Sequence, residues 1–188
     1  MQSKHADPPV RAVILNGASS SGKSTLIKAL HAALDGPWLA AGFDVFLDML
    51  HTRYYRPPLF QRVLGNLSSG GDIAHSLVRG MHGSLAALAH AGHPLLVDHV
   101  LLHKAWVDDL RMQLAGLRVL WVGVHCPFDE LVARERARGD RTIGAAAAQV
   151  EIVHMHAHYD IDVDTHALSA AECVEHIVQK MRVKQTRD

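Results

Sequence analysis

The segment Gly17-Ala18-Ser19-Ser20-Ser21-Gly22-Lys23-Ser24, followed by Thr25, constrains the chain more than any other stretch. It fits the spacing G-x-x-x-x-G-K-[ST], and its neighbours supply the context that the pattern needs. Val10 to Asn16 (VRAVILN) reads as a buried strand before it. Lys23 to Leu34 reads as an amphipathic helix after it, with Leu26, Ile27, Leu30 and Leu34 on one face. Such a strand–loop–helix unit turns main-chain N–H groups and the positive helix end toward an anion, while the glycines let the backbone close around it. Lys23 then reaches the β- and γ-oxygens of a nucleotide, and the Ser24 hydroxyl can ligate Mg²⁺. The expectation is a nucleoside-triphosphate site on residues 17–25. A flexible serine–glycine turn is the bland alternative, disfavoured by the strand and helix on either side.

The rest of the chain alternates short apolar runs with longer amphipathic ones, the pattern of an α/β domain with a parallel sheet. Further strands are expected at Trp38–Ala41, Pro94–Val97, Arg118–His125 and Tyr159–Asp164. Helices are expected at Ile73–Ala91, Lys104–Leu114, from Pro127 to near Gly139, over Gly144–His158, and after the capping pattern Ser169-x-x-Glu172. Residues 49–71 carry no clear period. With 188 residues and no internal repeat or linker, a single domain is the economical reading. Nineteen Lys and Arg balance nineteen Asp and Glu, so no overall basic field draws in nucleic acid or an anionic membrane. No apolar run approaches the ~20 residues of a membrane span. Met1 to Pro9 lacks the apolar centre of a secretory signal, and the two cysteines, Cys126 and Cys173, sit at no CxxC spacing. A cytoplasmic protein is expected, with self-association left open.

Two carboxylates fall where phosphoryl transfer needs them. Asp98 closes the apolar run Leu95-Leu96-Val97, where an acid beside the phosphate loop can orient Mg²⁺ or its water. Its competing role is a cap on the next helix. Asp44 follows the second strand at the same edge of the sheet, placed to take a proton from an acceptor hydroxyl. By position alone Asp48 and Asp35 compete with it, and a turn-forming Asp is the plain alternative. The stretch Arg134-Glu135-Arg136-Ala137-Arg138-Gly139-Asp140-Arg141 supplies cations. Arg134 and Arg138 share a helix face, Arg136 points away, and Arg141 lies beyond the helix-ending glycine. As a lid over about 134–150, such guanidinium groups can balance charge on a moving phosphoryl group; otherwise they form a solvated face with ordinary ion pairs.

Other features are read as structure. His154 and His158 share a helical face, but the run offers no third metal ligand in register. Asp160, Asp162 and Asp164 resemble the start of a calcium loop, yet Thr165 and Ala171 stand where glycine and glutamate are required, so they read as one face of a strand. Trp38, Trp106 and Trp121 sit singly in apolar settings and read as core.

Together these residues resemble the chloramphenicol phosphotransferase family of P-loop kinases. The likeness runs from Ile14-Leu15-Asn16-Gly17 to Gly22-Lys23-Ser24, through Pro37-Trp38-Leu39-Ala40 with Gly42-x-Asp44, and on to Val97-Asp98. It continues in Leu120-Trp121-Val122-Gly123-Val124 with Cys126, in Ala137-Arg138-Gly139-Asp140-Arg141, and in Val153-His154, Tyr159-Asp160 and Val163-Asp164-Thr165. The resemblance implies a shikimate-kinase-like five-stranded parallel sheet of order 2-3-1-4-5, with helices on both faces. It implies ATP and Mg²⁺, and transfer of the γ-phosphoryl group to a small-molecule hydroxyl, with chloramphenicol or a related antibiotic as acceptor. It also implies that Asp44 is the base, that Arg134, Arg138 and Arg141 belong to the lid, and that helices over about 45–93 face the acceptor. The chain departs from the family at His99, where a second acid follows the strand Asp, and over His51–Leu67, which has no clear family match. A nucleoside, nucleotide or metabolite kinase shares the same machinery. A nucleotide switch is the reading from another class, disfavoured by the missing [NT]KxD motif and the arginine-rich segment.

Overall fold

The computed structural model describes residues 9–49, 51, 72–138 and 144–184, with the backbone alone at 72–74 and 138. Its centre is a sheet of five parallel strands: β1 (Ala12–Asn16), β2 (Leu39–Gly42), β3 (Leu95–His99), β4 (Val119–His125) and β5 (Ile161–Asp164), in the order β2-β3-β1-β4-β5. This is the expected order. β1 lies between β3 and β4, with Leu15 opposite Asp98 and Val122, and Asn16 opposite His99 and Gly123. All five residues of β1 are buried, which is why the strand reads as a continuous apolar run and not as an alternating one.

Successive residues feed two separate cores. Ala12 and Ile14 join Leu95, Val97 and Trp121 on one face, where α3 (Asp72–His90) and α4 (Lys104–Gln113) pack through Val78, Met81, Leu85, Trp106 and Leu110. Val13 and Leu15 join Leu96, Leu120 and Val122 on the other, covered by α1 (Lys23–Ala33) and α7 (Ala170–Lys184) through Leu26, Leu30, Cys173 and Ile177. The short helix α2 (Phe43–Leu47) follows β2 without a break. Helices α5 (Phe128–Arg138) and α6 (Ala145–Gln149) lie between β4 and β5 in the chain.

Local signals hold at several ends. Helix α3 stops at Gly92, φ +98°, with the N–H of Gly92 on Ala89 O at 3.0 Å and that of His93 on Leu88 O at 3.1 Å. The capping box before α7 is made: Ser169 N–H donates to Glu172 Oε2 at 2.8 Å, and Glu172 N–H returns to Ser169 Oγ at 3.3 Å.

Other boundaries differ from the sequence reading. The helix expected over Gly144–His158 is α-helical only at Ala145–Gln149 and then continues as turns, because Val153 and Tyr159 are drawn inward to β1. The last strand is Ile161–Asp164, shorter than Tyr159–Asp164. Asp160 lies before it, accepting from Trp121 N–H at 2.8 Å and from Lys184 Nζ at 2.7 Å. Asp98 is inside β3, with His99 still in the strand. Trp106 and Trp121 are core, whereas Trp38 is only half-buried at the margin of the second core. Among the described residues no helix is long and apolar enough to cross a membrane.

Candidate active site

The carboxyl ends of β1, β2, β3 and β5 surround a cavity of about 560 Å³. Its floor is the loop between β1 and α1. Gly17 passes so close to β4 that a Cβ there would strike the Val124 carbonyl oxygen. Ser20, at φ +65°, is the single non-glycine residue with positive φ among the described ones, and Gly22 follows at φ +92°. These left-handed residues curl the backbone into a concave turn of the kind that accepts an anion. Lys23 is buried; its ammonium donates to Gly17 O at 2.9 Å and Ala18 O at 2.8 Å, and lies 3.6 Å from Asp98 Oδ1. The Ser24 hydroxyl donates to Asp98 Oδ2 at 2.8 Å.

The chemistry of this set fits a nucleotide with a divalent cation. The Ser20 and Ser21 hydroxyls are buried without a hydrogen-bond partner, which gives the loop polar capacity beyond its own bonds. Ser24 and Asp98 offer paired hard oxygen donors of the kind Mg²⁺ takes. Asp98 does not cap the following helix; its carboxylate is turned to Ser24 and Lys23 instead.

β2 brings the second carboxylate. A Cβ on Gly42 would lie 2.6 Å from Asp98 O and 2.9 Å from Asp98 Cβ, so only glycine lets β2 run against β3 at this point. The next two residues enter α2, and both Phe43 and Asp44 line the cavity with Asp98, Lys23 and Ser24. Ser19, Ser20, Gly22, Thr25 and Arg134 also line it, whereas Gly17, Ala18 and Ser21 of the same loop do not. Asp48 lies at the end of α2, outside that lining.

Arg134 is held from three sides. Its Nε donates to Glu130 Oε1 at 2.8 Å, Nη1 to Thr165 Oγ1 at 3.0 Å, and Nη2 to Thr165 O at 3.1 Å. The Thr165 hydroxyl in turn donates to Ser21 O at 2.8 Å, so Thr165, the residue after β5, joins the guanidinium to the phosphate loop. These bonds hold the guanidinium against the wall of the cavity. Burial pushes the nearby Cys126 thiol above its usual range, against the pull of Arg134. The Arg138 side chain and the whole of Arg141 lie outside the described residues.

Outside the cavity lining lie polar residues whose partners sequence spacing does not reveal. Asn16, fully buried, donates through Nδ2 to Val153 O at 2.8 Å and to the Tyr159 hydroxyl at 2.7 Å, and accepts from Leu101 N–H at 2.7 Å. Tyr159 lies 2.7 Å from His154 Nδ1, and His154 stacks on His125 at 4.1 Å. Burial, then the positive field of His125, lowers His154 to about 4, and burial lifts Tyr159 to about 12; both are neutral near pH 7. Glu135 is buried among the arginines and accepts from Gly144 N–H at 2.8 Å and Ala146 N–H at 3.0 Å. His99, where a second acid was expected, turns into the first core: its Nδ1 accepts from Val100 N–H at 2.8 Å and its Nε2 lies 2.9 Å from His82 Nε2. His82 Nδ1 lies 2.5 Å from Asp109 Oδ2. One proton assignment satisfies the whole row: His99 Nε2–H donates to His82, and His82 Nδ1–H donates to Asp109. Burial holds both imidazoles below their ordinary pKa, His99 far below.

Comparison with known proteins agrees with this geometry. The sequence pattern of the family described as chloramphenicol phosphotransferase-like protein matches residues 10–182. The "Putative O-phosphotransferase Rv2636" of Mycobacterium tuberculosis is 27% identical over 183 residues, covering 90% of this chain and 81% of that protein. Among solved structures, a gluconokinase from Sinorhizobium meliloti superposes with a TM-score of 0.63 at 21% identity, covering 94% of each chain. The APS kinase of Mycobacterium tuberculosis, in complex with AMPPNP and APS, superposes with a TM-score of 0.61 at 17% identity, covering 93% of this chain and 99% of that one. These likenesses establish the P-loop kinase fold.

Proposed function

This chain belongs to the chloramphenicol phosphotransferase-like family, and we propose that it moves the γ-phosphoryl group of ATP to a hydroxyl of a small molecule, with chloramphenicol or a related hydroxylated antibiotic as acceptor. The observation that carries the reading is the convergence of Lys23, Ser24, Asp98, Asp44 and Arg134 on one cavity at the carboxyl edge of the sheet.

The roles follow from the chemistry of each group. The loop of residues 17–25 and the start of α1 hold the phosphates, through amides other than those of Gly17, Ser19 and Ser21, which bond within the protein. Lys23 exchanges its bonds to Gly17 O and Ala18 O for β- and γ-oxygens. Ser24 and Asp98 hold Mg²⁺, which supplies charge neutralisation at the phosphates when bound. Asp44 accepts the proton of the acceptor hydroxyl, and Arg134, together with Arg138 and Arg141, balances charge spreading over the transferred group. Because such transition states are loose, positioning and electrostatics supply most of the rate.

The test is incubation with ATP, Mg²⁺ and a panel of hydroxylated antibiotics, chloramphenicol first, together with nucleosides and sugars. Mass analysis of each acceptor reads the outcome. A gain of one phosphate on an antibiotic supports the full reading, and a gain on a nucleoside or sugar alone moves the acceptor to that class. ATP hydrolysis with no phosphorylated acceptor argues for a nucleotide-dependent switch and against the proposal.

A further inference from the structure

Gln149 makes a contact to the phosphate loop that none of the roles above uses. Gln149, the last residue of α6, accepts the Ser19 N–H on its Oε1 at 2.7 Å, across 130 positions of sequence. Ser19 is only 4% exposed, and the next residue, Ser20, is the left-handed one. A residue held in that region persists where its surroundings over-determine it. Gln149 fixes the chain on the amino side of the strained position. On the carboxyl side, Ser21 N–H donates to Ala18 O at 3.2 Å, and Ser21 O accepts the Thr165 hydroxyl at 2.8 Å.

Gln149 is itself held. Four residues later Val153 O accepts from Asn16 Nδ2 at 2.8 Å, and Val153 N–H donates to Gln149 O at 2.9 Å. At the other end of α6, the buried Glu135 carboxylate takes the N–H groups of Gly144 and Ala146. The short helix is therefore a strut, with α5 at one end and the phosphate loop at the other.

We propose that Gln149 is a positioning residue for the phosphate-binding loop, bracing its left-handed turn through the Ser19 amide so that the loop meets a polyphosphate already shaped. This rests on the reading of the loop as a triphosphate site. A brace of this kind acts on the phosphates and leaves the nucleoside untouched. An ordinary packing role would weaken every ligand alike. The geometry also separates the brace from a plug: a Gln149 that merely occupied the loop would weaken binding by its presence, and its removal would tighten it.

The experiment compares wild type with Gln149→Met, which keeps length and bulk and loses the acceptor. Calorimetric titration uses tripolyphosphate, Mg-ATP and adenosine as separate probes. The expected result is about tenfold weaker binding of tripolyphosphate and of Mg-ATP, the equivalent of ~1.4 kcal/mol, with adenosine unchanged. Equal weakening of all three probes, unchanged polyphosphate binding, or tighter polyphosphate binding each overturns the role of Gln149. Wild type that binds neither Mg-ATP nor tripolyphosphate overturns the loop reading beneath it, and the brace with it. Circular dichroism of the variant at the titration temperature checks that it is folded; should Gln149→Met unfold, Gln149→Leu repeats the comparison.

Discussion

Gly42 and Asp44 illustrate how closely single atoms are set in this cavity. Between β2 and β3 there is no room for a methyl group beside Asp98, so Gly42→Ala must push Asp98 away from Ser24 and Lys23. We expect turnover to fall by about tenfold or more, since misplacing a catalytic group by about an ångström costs that order of rate; steady-state kinetics on the phosphorylated acceptor read it. Asp44→Asn removes a proton acceptor without changing shape. It should cut turnover by about 10²–10⁴-fold while leaving Mg-ATP affinity near wild type, and unchanged turnover would take Asp44 out of the mechanism. Lys23, Ser24 and Asp98 were legible from local spacing around strand ends, whereas position left Asp44 in competition with Asp48 and Asp35, and only the family resemblance, in the string Gly42-x-Asp44, singled it out. Asn16, Gln149 and Thr165 were not readable in this way. Their partners lie from 31 to 144 positions distant, and nothing within a few residues of Gln149 distinguishes it from a polar helix end. Glu135 was hidden by its neighbours: amid four arginines it reads as a surface ion pair, yet it is 2% exposed and caps a helix.

Helices and strands obey their local signals where each can close its own hydrogen bonds, and depart from them where a long-range bond competes. The capping box of α7 and the glycine end of α3 are local and hold. The segment after Gln149 keeps a helical apolar period, but Asn16 captures the Val153 carbonyl and ends the regular helix early. Between α3, β3 and α4 the row His99–His82–Asp109 makes a polar rivet inside an apolar face. Its protonation has a definite sign. Both histidines, and His154, have folded pKa values below the unfolded value near 6.5, so the unfolded chain gains protons first as pH drops. The stability penalty begins near pH 6.5 and grows downward, for His154 until about pH 4. Each such group contributes a slope of up to about 1.4 kcal/mol per pH unit. Denaturant unfolding at pH 7.5, 6.0 and 5.0 should show this loss, and a His82→Leu/His99→Leu variant should lose stability less steeply with acid. An equal slope in that variant would place the acid sensitivity elsewhere.

The whole molecule is an interleaving of two cores by one sheet, and that much follows from the alternation of short apolar runs and amphipathic segments. Strand order came from resemblance to a family, since periodicity does not say which strands are neighbours. Residues 52–71, where no period was legible, lie outside the described structure, as does most of the expected acceptor-side segment before α3. Ligand binding should be visible at the scale of the entire fold. Mg-ATP at about a hundred times its Kd adds ~2.7 kcal/mol, which for a domain of this size raises Tm by about 5–10 °C. A Lys23→Ala variant should show little of that rise in the same thermal scan. One last consequence concerns electroneutrality. Among the described residues lining the cavity, the fixed charges are two cations, Lys23 and Arg134, against two anions, Asp44 and Asp98. These cancel, so the side chains alone leave no net positive charge to meet a polyanion, and the loop amides, the positive end of α1 and a divalent cation would have to supply the balance. Chelating the divalent metal should therefore weaken nucleotide uptake by about tenfold or more, a gap that equilibrium dialysis with and without EDTA would measure.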